Sequence, residues 1–178
     1  MHNKKLYRLV RTALFAALVC VATLAVQIPV PATGGYLNLG DCFVLLSAFC
    51  LGPIPGALAS GIGSMLADLI TGYVQYAPAT FVIKGVMALA AGMICRAFLK
   101  DGMRAATKIF VRFLSALLAE TVMAVGYLCY EAFLLGYGAG ALLAVPMNLA
   151  QGGLGISLSL VLVVLLQKIP SVRHALSE

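Results

Sequence analysis

The chain has 178 residues, 62% of them hydrophobic and 10% charged, with a mean hydropathy of +1.04. Soluble domains carry about 25% charged residues, so this composition excludes one and predicts a single integral membrane domain spanning residues 1–178. The net charge of +6 gathers beside apolar runs, which fits a membrane surface and argues against nucleic acid as a partner.

The N-terminal arm holds Lys4, Lys5, Arg8 and Arg11. It leads into an apolar run, Thr12 to Val30, longer than the ~7–15 residues of a cleavable signal core. This reads as a retained helix from about Arg11 to Ile28, ended by Pro29 and Pro31. An uncharged, glycine-containing loop from Ala32 to Leu39 follows. A short second helix covers about Gly40 to Leu51, and Gly52-Pro53-Ile54-Pro55-Gly56 turns the chain back. The third helix runs to about Ile70 and the fourth from Ala79 to Phe98, joined by an uncharged loop near Gly72 to Pro78. A fifth is expected from Ile109 to Leu135 and a sixth from Ala141 to Gln167, with the glycine-rich loop 136–140 between them.

Eleven of the twelve basic residues fall in three clusters: the N-terminal arm; Arg96, Lys100, Arg104, Lys108 and Arg112; and Lys168 with Arg173. Basic residues flanking spans favour the cytoplasmic side. Six crossings place all three clusters inside, whereas five or seven would put at least one outside. The expected architecture is therefore an all-α, six-helix transmembrane bundle with both termini cytoplasmic.

Small residues mark where helices can approach closely. Gly52, Gly56, Ser60, Gly63 and Ala67 stripe the third helix, best read as internal packing. Ala13 and Ala17 form an AxxxA in the first helix, a face open either to bundle packing or to a partner subunit.

Ionisable residues within a bilayer are costly and mark pairing or function. Asp41, Asp68, Lys84, Glu120 and Glu131, with the amides Asn148 and Gln151, are the candidates. By depth most converge on the outer half of the bundle, which suits a site loaded from outside. Asn148 and Gln151 share a helix face by their i, i+3 spacing. Tyr76, Phe81 and Tyr127 can supply aromatic walls. Plainer roles stand beside these: Asp41 as a helix N-terminal acid and Asn38 as a cap, Lys84 paired with Asp68, and Glu131 solvated near the surface.

No phosphate-binding GxxxxGK[ST] occurs, and the two histidines, His2 and His174, lie in the tails. Neither a catalytic His pair nor a metal or cofactor site is indicated. Binding or transport, driven by a partner, is the expectation.

The run Gly35-Tyr-Leu-Asn-Leu-Gly-Asp41, then LGPIPGALASGIGSMLADLITGY and YAPATFVIKG, resembles the substrate-binding S components of energy-coupling factor (ECF) vitamin transporters. The resemblance is to the riboflavin-type group, which includes hydroxymethylpyrimidine carriers, and extends from helix one through Gln151. It implies a subunit of a bacterial cell membrane that captures a vitamin outside and works with a transmembrane coupling subunit and two cytoplasmic ATPases. The implied coupling contact falls on Ala13 and Ala17, and the implied gate on Pro31 through Asn38. The implied ligand contacts include Lys84, Glu120, Asn148 and Gln151, joining Asn38, Tyr76 and Tyr127 as candidate substrate residues. Asp41 and Asp68 are assigned structural or gating roles. Amides and carboxylates fit an aminopyrimidine or a pyridine alcohol, while riboflavin requires a larger pocket.

Overall fold

A computed structural model describes residues 4–31 and 33–169. Arg173, His2 and His174 lie outside the described residues. Six α-helices form: α1 (Lys4–Ala25), α2 (Gly40–Leu51), α3 (Pro53–Thr71), α4 (Ala77–Phe98), α5 (Ala105–Cys129) and α6 (Val145–Leu166). Five of the apolar helical segments are long enough to cross a bilayer; α2 is shorter. Its brevity has a packing reason. α2 lies against α1, α3, α4 and α6, and nine of its twelve residues are buried, so protein replaces lipid around it.

The turn into α3 depends on Gly52, whose φ of 79° closes α2 in a conformation that favours glycine. Pro53 then opens α3 where its missing N–H costs nothing. The small-residue stripe of α3 faces inward. A Cβ placed on Gly56 would sit 3.0 Å from the Ala48 Cα of α2. One placed on Gly63 would sit 2.9 Å from the Val19 Cβ of α1. Ser47 and Ser60 complete the α2–α3 seam with a 2.7 Å hydrogen bond.

Several boundaries differ from the sequence expectation. The basic arm is already helical from Lys4, and α1 ends at Ala25. The expected loop after it is a β-hairpin, β1 (Gln27–Val30) antiparallel to β2 (Gly35–Asn38), with Gln27 opposite Asn38 and Pro29 opposite Tyr36. Proline is tolerated because a two-stranded ribbon consists of edges. α5 begins four residues earlier than expected, so Lys108 is helical as well. Arg112 is buried with its guanidinium over the Phe49 ring at 6.0 Å. α5 ends in a π-helical turn, Tyr130–Leu134. The segment Gly138–Ala144 is 3₁₀-helical, and α6 starts only at Val145, with Pro146 in its first turn.

The N-terminus of α1, the α4–α5 connection and the C-terminus of α6 share one end of the bundle, the basic end. The hairpin and the α3–α4 and α5–α6 connections share the other.

Candidate functional site

Under the hairpin lies a chamber of about 40 Å³. The hairpin roofs it through Thr33, Tyr36 and Asn38; α3 contributes Ser64 and Asp68, α4 Thr80 and Lys84, and α6 Asn148 and Gln151. Tyr76, Tyr127 and Glu131 close the side facing α5.

A relay of polar groups forms its floor. The buried Lys84 ammonium donates to Asp41 Oδ1 across α4 and α2. The Gln151 amide of α6 donates to the other Asp41 oxygen. Gln151 Oε1 accepts from the Asn38 backbone N–H at 2.8 Å, and Asn38 Oδ1 accepts from the Gly40 N–H at 2.8 Å. Three helices and the hairpin are thereby tied together at one carboxylate. Both Asp41 oxygens are occupied, as a charge buried this deeply requires.

Two tyrosines fasten the roof. The Tyr36 hydroxyl donates to Asp68 Oδ1 at 2.6 Å, and the Tyr76 hydroxyl donates to the Thr33 carbonyl at 2.8 Å. Burial first, and then the bond to Asp68, push the Tyr36 phenol above its ordinary range, so it remains a donor. Tyr73 packs on Tyr36 with centroids 4.5 Å apart, and Tyr130 on Tyr76 at 5.8 Å. Thr80 and Tyr127 share a 3.0 Å hydrogen bond.

Asn38, Tyr76, Lys84, Tyr127, Asn148 and Gln151 thus meet around one chamber, together with Asp68. Glu120 does not line it. It is buried one layer deeper, and a Cβ placed on Gly155 would lie 2.8 Å from its Oε1 and 3.0 Å from one on the Asp41 side chain.

Three expectations need correction. Lys84 pairs with Asp41 of α2, not Asp68, which instead accepts from the Tyr36 hydroxyl. Glu131 is not solvated: the π turn directs it inward, where it is buried and lies 3.2 Å from the Tyr76 hydroxyl. Phe81 is no wall of the chamber, since its side chain is exposed on the outside of α4. Thr23, Thr33, Tyr36, Ser64 and Thr80 also line the chamber and were not anticipated. Hydroxyl residues are common in membrane helices and loops, so nothing in their spacing singles them out. Tyr36 lay within the quoted GYLNLGD run and could have been found there.

Ala13 and Ala17 lie exposed on α1, on a helix whose first two-thirds is largely uncovered by the rest of the chain.

A bundle of membrane-crossing helices with a polar chamber roofed by a hairpin defines a membrane-embedded binding protein. The profile of the ECF-type riboflavin transporter S component matches residues 3–168, and the chain belongs to this family. It is a multi-pass membrane protein, the substrate-binding subunit of a transporter and not an enzyme. An uncharacterised protein of Pyrococcus woesei is 38% identical over 138 residues, covering 78% of this chain and 86% of that one. The thiamine precursor transporter HmpT of Lactococcus lactis subsp. cremoris is 27% identical over 169 residues, 94% of this chain and 92% of its own. Among solved structures, the S component for biotin from an ECF-type ABC transporter aligns with a TM-score of 0.58. That alignment covers 91% of this chain and 93% of the other at 15% identity, a likeness of fold alone.

Proposed function

We propose that this S component captures a small heterocyclic vitamin or precursor, foremost the thiamine precursor hydroxymethylpyrimidine, from the side opposite the basic clusters. The observation that carries this reading is the chamber itself: small, polar, aromatic on one side and covered by the hairpin. At about 40 Å³ it is below the ~150 Å³ that accepts benzene, so the hairpin has to lift before even one ring enters. A single pyrimidine or pyridine ring demands less opening than a three-ring flavin. The similarity to the thiamine precursor transporter of Lactococcus supports the same choice. Asn38, Tyr76, Lys84, Tyr127, Asn148 and Gln151 contact the ligand, and Asp41 holds Lys84 and Gln151 in place.

Release on the basic side is driven by two cytoplasmic ATPases acting through a transmembrane coupling subunit, whose helices dock on α1 at Ala13 and Ala17. Large side chains there block close helix approach. Mass spectrometry of ligand retained through purification is expected to find a pyrimidine. Ala13→Trp and Ala17→Trp are expected to lose co-purification with the ATPases while ligand binding persists. A retained flavin would replace the pyrimidine with riboflavin. An intact complex in both variants would overturn the α1 interface.

A further inference from the structure

Two carboxylates and two hydroxyls, the latter able to donate or accept, meet the chamber with an oxygen left unpaired. Four buried side-chain oxygens without a hydrogen-bond partner line it: Thr33 Oγ1, Ser64 Oγ, Asp68 Oδ2 and Glu131 Oε2. Buried polar atoms are rarely left unmatched, and half of the unmatched ones among the described residues gather here. Tyr76 does not relieve Glu131. Its single hydroxyl hydrogen has two acceptors, the Thr33 carbonyl at 2.8 Å and Glu131 Oε1 at 3.2 Å, and the nearer one is better placed.

Charge points the same way. Among the described residues, Asp68 and Glu131 line the chamber and Asp41 and Glu120 lie beneath it, with Lys84 as the one cation in their midst. Lys84 is committed to Asp41, and every other basic residue of the chain belongs to the clusters at the basic end or beyond. Among the described residues, Asp68 and Glu131 therefore face the chamber with no salt bridge of their own. Such an excess of negative charge within a membrane domain is costly. Tyr76 adds an aromatic ring to the lining, while the Tyr127 ring already carries the Lys84 ammonium 5.4 Å from its centroid.

We infer that the chamber takes its ligand as a protonated, N–H-bearing nitrogen base, with Asp68 and Glu131 as the residues that select for it. An amino group on a protonated heterocycle offers donors in two or more directions, which is what two carboxylate oxygens and two hydroxyls can accept. Anionic vitamins are rejected by the same pair. The inference rests on the S-component reading and adds to it the charge and donor content of the substrate.

Binding to the purified full chain in lipid nanodiscs tests it by calorimetry, using hydroxymethylpyrimidine, the analogue with hydrogen in place of its amino group, riboflavin and biotin. The aminopyrimidine is expected to bind at least about tenfold more tightly than the deamino analogue, in line with a charge-assisted hydrogen bond. Asp68→Asn and Glu131→Gln are each expected to weaken the aminopyrimidine by about ten- to a hundredfold. The same substitutions should leave the deamino analogue within about threefold. Equal binding of the two pyrimidines, aminopyrimidine affinity unchanged in both variants, or preferential binding of riboflavin or biotin would each overturn the inference. The wild-type comparison needs no variant and decides the matter if a substitution prevents folding. Co-purification with the ATPases separates the two claims. A complex that forms around a chain preferring a neutral or anionic ligand leaves the S-component reading standing and removes only the charge selection.

Discussion

Asp41 shows how one side chain serves both fold and site. As an acid in the first turn of α2 it suits the positive end of the helix dipole, and that much is legible in sequence. Its partners are not. Lys84 was visible as the one basic residue outside the clusters, but its mate depends on how α2 and α4 cross, and no local spacing records that. Asp68, the alternative mate, instead holds Tyr36 of the roof. Removing the ammonium leaves Asp41 buried and half-satisfied, so Lys84→Met should destabilise the protein by about 3–5 kcal/mol. Adding Asp41→Leu removes the orphaned charge and should recover part of that loss. Thermal unfolding of the single and double variants in detergent checks this; a double variant no better than Lys84→Met would show that the pair is not the source of the cost.

Among the elements, α3 is the one whose packing was most readable. Its small residues at three- and four-residue steps predicted close neighbours, and the neighbours are α1, α2 and α4. A Cβ on Gly63 would meet the Val19 Cβ at 2.9 Å and would crowd the Ala16 carbonyl more closely still. Backbone cannot yield as a flexible side chain does. Gly63→Val should therefore cost on the order of 1–3 kcal/mol by overpacking, and lower the melting temperature. Gly85→Ala on α4 is the control: its nearest would-be contact is 3.6 Å away, and it should leave the melting temperature nearly unchanged. The hairpin was less legible. Gln27 and Ile28 were assigned to the end of the first helix because a short apolar stretch reads equally as helix end or strand. The π turn at Tyr130–Leu134, which brings Glu131 inward, has no sequence mark of its own.

For the molecule as a whole, the basic clusters predict an orientation: the basic end faces the cytoplasm and the chamber opens outward. Val74, exposed in the α3–α4 connection, and Asp101, exposed in the α4–α5 connection, lie at opposite ends. In a background with Cys129 replaced by serine, Val74→Cys should react with a membrane-impermeant maleimide on intact cells. Asp101→Cys should react only after lysis. The reverse pattern would invert the topology and put the chamber on the cytoplasmic face.

By itself the sequence determined the membrane class, the number of helices, the close-packed face of α3 and about half of the residues around the chamber. These follow from composition, apolar run length and the cost of polar groups in a bilayer, all of which are properties of single segments. Tertiary structure alone decided that Lys84 meets Asp41, that Glu131 is turned inward, that Glu120 sits beneath the chamber, and that four residues with unpartnered oxygens line it. Such pairings arise from helix crossings and from a π turn, which bring together residues tens of positions apart, and hydrophobic periodicity carries no record of that distance.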